Sequence, residues 1–121
     1  MKEHLQFYID GQWVDPASAR SLDVINPSNE EVVSRISLGS KADVDQAVQA
    51  ARRAFESFSR TTREERVALL EKVLDVYKRR ADEVAQAISL EMGAPLWLSK
   101  AAQAAMGTAH LKTTLAVLKN F

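Results

Sequence analysis

A single carboxylate beside an apolar helix face is the first feature of this sequence that could do chemistry. Residues 80–95 read as a helix in which Val84, Ile88 and Met92 recur at intervals of four and form an apolar stripe. Glu91 projects near that stripe, and an ionised carboxylate is seldom buried without a partner. Two interpretations stay open: Glu91 reaches solvent at the edge of the stripe, or it meets a cation, either a basic side chain or a metal ion.

The other residue types that carry chemistry do not form a recognisable site. The chain has no cysteine, and no serine or lysine stands in the motif of an activated nucleophile. Its four glycines are far apart, whereas a phosphate-binding loop needs them close together. His4 and His110 cannot be joined into a metal-ligand spacing, and a lone histidine on a mostly apolar helix is more often structural. We therefore expect no catalytic and no nucleotide-binding residue in this chain.

Composition excludes several classes of partner. Sixteen basic residues balance sixteen acidic ones, so there is no electrostatic reason to propose nucleic acid or an anionic membrane surface. No apolar run is long enough for a transmembrane helix, and the N-terminus has no signal-peptide core. The absence of cysteine rules out disulfides within the chain. A cytoplasmic location follows as the default expectation.

Residues 1–39 predict two β-hairpins. Asp10-Gly11 suits a tight turn between short β-like runs at 5–9 and 12–14, because both central residues of such a turn must accept positive φ. A second pair of strands, 22–25 and 32–38, is joined by a turn in which we expect Asn29 to take the positive φ.

Residues 40–121 predict about four amphipathic helices. Ser40 with Asp43 forms a capping-box analogue, and Thr62 with Glu65 forms a full Thr-x-x-Glu box, so helices begin after residues 40 and 62. The first helix carries an apolar face from Val44 to Phe58. Strands followed by helices indicate an α+β fold that is predominantly helical, with a β-hairpin region at 1–39 and a helical region at 40–121.

The last two helices are separated by a clear stop. Gly93 stands where a left-handed cap belongs, and Pro95 makes continuation unfavourable. The following helix, about 96–118, is rich in small residues and contains Gly107, which costs on the order of 1 kcal/mol relative to alanine and indicates a close neighbour. This helix needs neighbours on several sides, so we expect a homo-oligomer. Its expected contact residues are Ala101, Ala105 and Leu111.

Five collinear segments resemble the N-terminal part of the aldehyde dehydrogenase superfamily. Leu90-Glu91-Met92-Gly93-Ala94-Pro95 is similar to that family's Glu/Asp-x-Gly-x-Pro signature. The other four segments are Phe7–Val14, Asp23–Pro27, Glu31–Val33 and Asp43–Phe55. Together the matches extend over nearly all of the chain, and they imply that it adopts part of the aldehyde dehydrogenase-like fold.

The resemblance implies an NAD- or NADP-dependent oxidation of aldehydes to carboxylic acids by the full-length protein. The family's cysteine nucleophile, glutamate base, asparagine oxyanion donor and nucleotide-binding sheet all follow the matched region. We therefore expect this chain to be inactive by itself and to hold no NAD or NADP. The alternative is a small helical self-association or interaction module without catalysis.

The resemblance also implies two sets of site residues. In many members of the family, a monovalent cation is held by two backbone carbonyls and the carboxylate before the x-Gly-x-Pro turn, which correspond here to Val24, Ile25 and Glu91. A further carbonyl ligand would come from outside the matched region, so we expect no occupied site in this chain alone. Met106 corresponds to a position that lines the substrate tunnel, and His110 borders it one turn on. A plain core role for Met106 stays open, since methionine commonly fills gaps.

Overall fold

Five short strands precede a series of helices in the computed structural model, which describes residues 2–121. The strands are β1 (Lys2–His4), β2 (Phe7–Ile9), β3 (Gln12–Val14), β4 (Ser21–Ile25) and β5 (Val32–Ser37). The helices are α1 (Lys41–Phe58), α2 (Arg63–Arg79), α3 (Ala81–Met92), α4 (Leu96–Leu98) and α5 (Ala104–Asn120), with a π-helical turn at Ser99–Gln103. This order confirms the predicted α+β class. Contacts divide the chain into two compact units, the first with residues up to 26 and 30–60 and the second with residues 27–29 and 61–121, so α1 belongs with the strands.

The first unit contains a three-stranded sheet in the order β1-β5-β4, in which β5 is parallel to β1 and antiparallel to β4. Arg35 on the central strand stands opposite Glu3 on one side and Asp23 on the other. Its Nε atom donates to Asp23 Oδ1 at 2.7 Å, and this hydrogen bond is the main reason that the pKa of Arg35 is raised. The pairing of β1 with β5 was not predicted, because a three-residue strand has too few side chains to show a period.

The two turns of the first unit show one correct and one wrong prediction. Asp10 and Gly11 have φ of 56° and 74°, as expected for the tight turn between β2 and β3. In the turn after β4 the residue with positive φ is Glu30 (60°), so the expectation for Asn29 was wrong. Asn26 N–H donates to the Glu31 carbonyl and Glu30 N–H donates to the Asn26 carbonyl, which makes Glu30 the residue that must reverse the chain.

Asp43 ties the start of α1 to the loop before β4. Its carboxylate accepts hydrogen bonds from the Ser40 hydroxyl at 2.6 Å, the Ser40 N–H at 2.7 Å and the Ala17 N–H at 2.8 Å. These bonds, the Ser40 hydroxyl first, lower the pKa of Asp43, whose residue is only 4% exposed. The predicted capping box is therefore confirmed, and it also holds a long-range contact.

The predicted apolar face of α1 is exposed. Val44 is 59% exposed and Phe55 is 68% exposed, whereas the buried residues of the helix are Asp43 and Ala50. The 3.6-residue period correctly identifies a helix, but it does not say which elements cover the face.

The second unit is built from the remaining helices. The predicted box at Thr62 and Glu65 is confirmed by reciprocal hydrogen bonds of 3.1 and 2.7 Å. Gly93 caps α3 with φ of 68°, as expected, and a Cβ atom there would lie 3.0 Å from Pro27 Cγ and 3.1 Å from Ser28 N. The buried side chains of these helices are Leu74, Ala85, Ser99, Ala104 and Leu115.

The Asp43→Asn substitution tests the contact at the start of α1. We expect Asp43→Asn to lower the melting temperature at pH 7, since an amide cannot accept all the hydrogen bonds that the carboxylate accepts. Because the pKa of Asp43 is lowered in the folded state, its contribution is present above the unfolded value of about 3.9 and is lost as the pH falls through the folded value. Thermal unfolding followed by circular dichroism from pH 7 to 3 measures both effects.

Asp45→Asn is the matched control for Asp43→Asn, because Asp45 lies on the same helix and forms an exposed ion pair with Lys41 at 2.5 Å instead of a contact to a distant loop. Equal melting temperatures for the two variants at pH 7 would contradict the role of Asp43.

Candidate functional site

The helix that carries Met106 and His110 begins with an irregular turn. Within the π-helical turn, Ala104 N–H donates to the Ser99 carbonyl, five residues back instead of four. Ser99 is fully buried, and its hydroxyl donates to Gln103 Oε1 at 3.1 Å. Such turns insert one extra residue into a helix and are frequent at functional sites.

Tyr77 of α2 contacts α5 at two places. Its hydroxyl donates to the carbonyl of Ala104 at 2.8 Å. A Cβ atom at Gly107 would collide with the Tyr77 hydroxyl and ring, and the ring atom Cε1 would lie 2.9 Å away. The prediction that Gly107 has a close neighbour is therefore confirmed, and the neighbour is an aromatic ring.

Met106 and His110 lie on one strip of α5, since residues four apart share a helix face. Met106 is 54% exposed and His110 is also exposed, so neither belongs to the core of the described residues. No acidic or basic partner of His110 is found within residues 2–121. The strip offers an adaptable apolar side chain with a titratable one beside it.

The three residues of the expected cation site lie on separate units. Val24 and Ile25 are in the first unit, at a register shift: Val24 pairs with Ser34 but Ile25 pairs with Val32, which leaves Val33 as an extra residue on β5. This is a β-bulge, a feature that is common next to active sites because it redirects the strand.

Glu91 is in the second unit, in the last turn of α3, and it is exposed. This exposure supports the interpretation that Glu91 reaches solvent at the edge of the apolar stripe, where Met92 is exposed too. Its role as a cation ligand stays a prediction. Two backbone carbonyls and one carboxylate would suit a hard cation, which prefers oxygen ligands.

Other features of the described residues do not add a site. No group of three or more histidine, aspartate or glutamate side chains in the described part of the chain could hold a metal ion. A groove of about 440 Å³ between α2 and α3 is lined by Tyr77 and Val84 but by none of Val24, Ile25, Glu91, Met106 and His110. Within residues 2–121 there is no helix of the length and hydropathy needed to cross a membrane.

Sequence reasoning missed Tyr77 and the π-helical turn. Tyr77 follows Leu70 and Leu74 at helical spacing, and nothing in that spacing distinguishes a tyrosine that only packs from one that also donates a hydrogen bond. Gly107 in the middle of α5 was the one available signal, because it indicated a close contact but not which residue makes it.

Comparisons with known proteins all find aldehyde dehydrogenases. The model of the "Aldehyde dehydrogenase family" matches residues 13–120. The 3-succinoylsemialdehyde-pyridine dehydrogenase of a Pseudomonas species is 48% identical over 122 residues, and the match covers 100% of this chain and 26% of that protein. The chain therefore spans about a quarter of the length of the curated relatives that it matches.

Solved structures match as well. The crystal structure of an aldehyde dehydrogenase from Bartonella henselae is similar with a TM-score of 0.98 and 41% identity, covering 100% of this chain and 25% of that one. Aldehyde dehydrogenase C of Pseudomonas syringae, solved as a mutant with NAD+ and octanal, is similar with a TM-score of 0.93 and 42% identity. That match covers 96% of this chain and 24% of that one.

Proposed function

This chain belongs to the aldehyde dehydrogenase family, and from that premise we propose that it is the N-terminal part of an NAD- or NADP-dependent enzyme that oxidises aldehydes to carboxylic acids. The observation that carries the proposal is that the family match spans residues 13–120, nearly the whole chain. A relative solved with NAD+ and octanal supports the cofactor and the substrate class.

The catalytic cysteine that the family implies is not in these 121 residues, since the chain contains no cysteine. We expect none of its residues to bind NAD or NADP or to take part in the chemical step. In the full-length enzyme, the chain supports and lines the substrate site, because its strands and helices provide surfaces on which the catalytic part packs.

The backbone carbonyls of Val24 and Ile25 and the carboxylate of Glu91 are the proposed ligands of a monovalent cation. The β-bulge opposite Val24 and Ile25, whose extra residue is Val33, and the exposed carboxylate of Glu91 support this assignment, because bulges are common next to active sites and a hard cation prefers oxygen ligands. The packing of Pro27 and Ser28 against the left-handed cap at Gly93 is the third supporting observation.

Met106 and His110 are proposed to line the substrate tunnel of the full-length enzyme. Their common exposed strip supports this role, because a tunnel wall must present side chains that this chain does not bury itself. Methionine suits such a wall, since its unbranched side chain adapts to ligands of different shape.

Self-association is the second proposed function. In the full-length enzyme it would form a homo-oligomer, and in this chain alone it would make a helical interaction module without catalysis. Large exposed apolar side chains favour it, since apolar surface removed from water on association is stabilising. The proposed contact lies near Ala101, Ala105 and Leu111, of which the two alanines are exposed.

The purified 121-residue chain tests two proposals: that catalysis needs the rest of the enzyme, and that the chain self-associates. We expect no reduction of NAD or NADP with a panel of aldehydes, followed by the absorbance of the reduced cofactor, because the nucleophile is absent. Light scattering of the same sample should give a mass above the 13.4 kDa of one chain. Turnover that survives repurification would overturn the first expectation, and a monomer at high concentration would overturn the second; the full-length protein serves as the active control.

Glu91→Gln in the full-length protein tests the cation site, since it keeps the shape of the side chain and removes the charge. We expect the rise in melting temperature with potassium to become smaller while the circular dichroism spectrum is unchanged. Glu83→Gln on the same helix is the matched control, because Glu83 pairs with Arg80 at 2.9 Å instead. An unchanged potassium dependence in Glu91→Gln would remove Glu91 from the ligand set.

Met106→Ala in the full-length protein tests the tunnel wall. We expect kcat/KM for octanal to fall about 5- to 30-fold, the equivalent of 1–2 kcal/mol of lost apolar contact, and kcat/KM for acetaldehyde to change much less. Met92→Ala is the control, because Met92 is an equally exposed methionine on α3. Equal losses for the two aldehydes would argue against a tunnel position for Met106.

A further inference from the structure

We propose that Tyr77 is a positioning residue of the substrate tunnel, because it sets the rotation of α5 about its own axis and thereby the direction of Met106. This inference rests on the proposed function, in which Met106 and His110 line the tunnel. Tyr77 itself lies on α2 and does not need to touch the substrate.

Two contacts of one aromatic ring define the rotation. The Tyr77 hydroxyl donates to the carbonyl of Ala104, the first residue of α5, and the ring occupies the space where a Cβ atom of Gly107 would stand. Since Ala104 and Gly107 are three residues apart, they lie on the same face of the helix. A rotation of α5 would break the hydrogen bond and bring a side chain against the ring.

The strip of Met106 and His110 follows from this orientation. An α-helix turns by about 100° per residue, so Met106 lies about 100° from Gly107. His110, three residues beyond Gly107, lies about 60° from it on the same side as Met106. With Gly107 held against Tyr77, both side chains are directed to one flank of α5, where they are exposed.

The π-helical turn explains why an external contact is needed. A continuous α-helix would relate the direction of α5 to that of α4 through its own hydrogen bonds. The i→i+5 bond from Ala104 to Ser99 inserts an extra residue, so the phase of α5 differs from that of an uninterrupted helix. Tyr77 contacts the first residue after this turn, which is the point where the new phase begins.

The ion pairs of α5 and of the π-helical turn before it fix the rotation of α5 less well. Lys100 pairs with Asp82 at 3.0 Å and Lys119 pairs with Glu71 at 2.6 Å, but all four side chains are about half exposed or more. Exposed ion pairs between long side chains contribute little and tolerate movement. The rigid ring of Tyr77 is the contact with a defined direction.

Tyr77→Phe in the full-length enzyme is the test, because it keeps the ring and removes the hydrogen bond to Ala104. We expect KM for octanal to rise about two- to tenfold, the equivalent of one net hydrogen bond, with kcat for acetaldehyde unchanged. Tyr8→Phe is the matched control: Tyr8 is the other tyrosine of the chain, it is 63% exposed, and it lies on β2.

A double-mutant cycle with Met106→Ala separates positioning from general loss of stability. If Tyr77 acts through Met106, Tyr77→Phe has no further effect on KM for octanal in the Met106→Ala background. Additive effects, or an unchanged KM in Tyr77→Phe alone, would overturn the inference. Met106→Ala with a normal phenotype would instead refute the tunnel position itself, so the two failures are distinguishable.

A readout that does not depend on activity completes the test. The ε-methyl resonance of Met106, assigned by its loss in Met106→Ala, should shift in Tyr77→Phe and stay in place in Tyr8→Phe. Gly107→Ala is a second variant, because its Cβ atom expels the ring and should shift the same resonance further. A resonance that stays in place in both Tyr77→Phe and Gly107→Ala would overturn the inference.

Discussion

The missing Cβ atom at Gly107 is the constraint on which the arrangement of the helical unit depends. A glycine in the middle of a helix costs about 1 kcal/mol relative to alanine, yet here it admits the ring of Tyr77. The Tyr77 hydroxyl then reaches the carbonyl of Ala104 at 2.8 Å, so one side chain makes a steric and a polar contact with the same helix. Because the ring of Tyr77 and Gly107 must face each other, α5 can pack against α2 in one orientation about its own axis. Leu74 and Leu115, the two large apolar residues that these helices bury, add stability that is much less directional.

The first unit depends in the same way on a specific polar contact. Asp43 joins the loop at Ala17 to the start of α1, while the buried apolar residue of that helix is the small Ala50. The first unit therefore buries small or hydrogen-bonded side chains on this helix and leaves large apolar ones exposed, such as Phe55. On the proposed function, the exposed surface is what the rest of an aldehyde dehydrogenase covers. On that proposal, the apolar period of α1 serves contacts with the rest of the enzyme, which is why α1 has a clear period without a covered face.

Local signals made most of the fold predictable from the sequence. The turn at Asp10-Gly11, the capping boxes at Ser40 and Thr62 and the stop at Gly93 each depend on residues within a few positions of one another. The pairing of β1 with β5 and the π-helical turn were not predictable, because each depends on contacts distant in sequence or on a helical phase that composition does not encode. The positive φ of Glu30 was misplaced by one residue, since the hydrogen bonds of Asn26 decide where the turn closes. Periodicity singled out Glu91, whereas the roles of Val24, Ile25, Met106 and His110 came from the family resemblance.

Glu91 shows how the physical argument for a site changes once burial is known. A carboxylate on a buried face would require a partner, because burying an unpaired charge is strongly unfavourable. An exposed carboxylate has no such requirement, since water already stabilises it. A cation at Glu91 must then replace hydration instead of relieving a buried charge, so its binding depends on how well the other oxygen ligands are placed. The β-bulge opposite Val24 and Ile25, with Val33 as its extra residue, becomes the more informative feature, because a bulge interrupts the regular ladder and bends the strand. On the proposed assignment, the placement of the Val24 and Ile25 carbonyls therefore matters more for the choice of cation than the charge of Glu91.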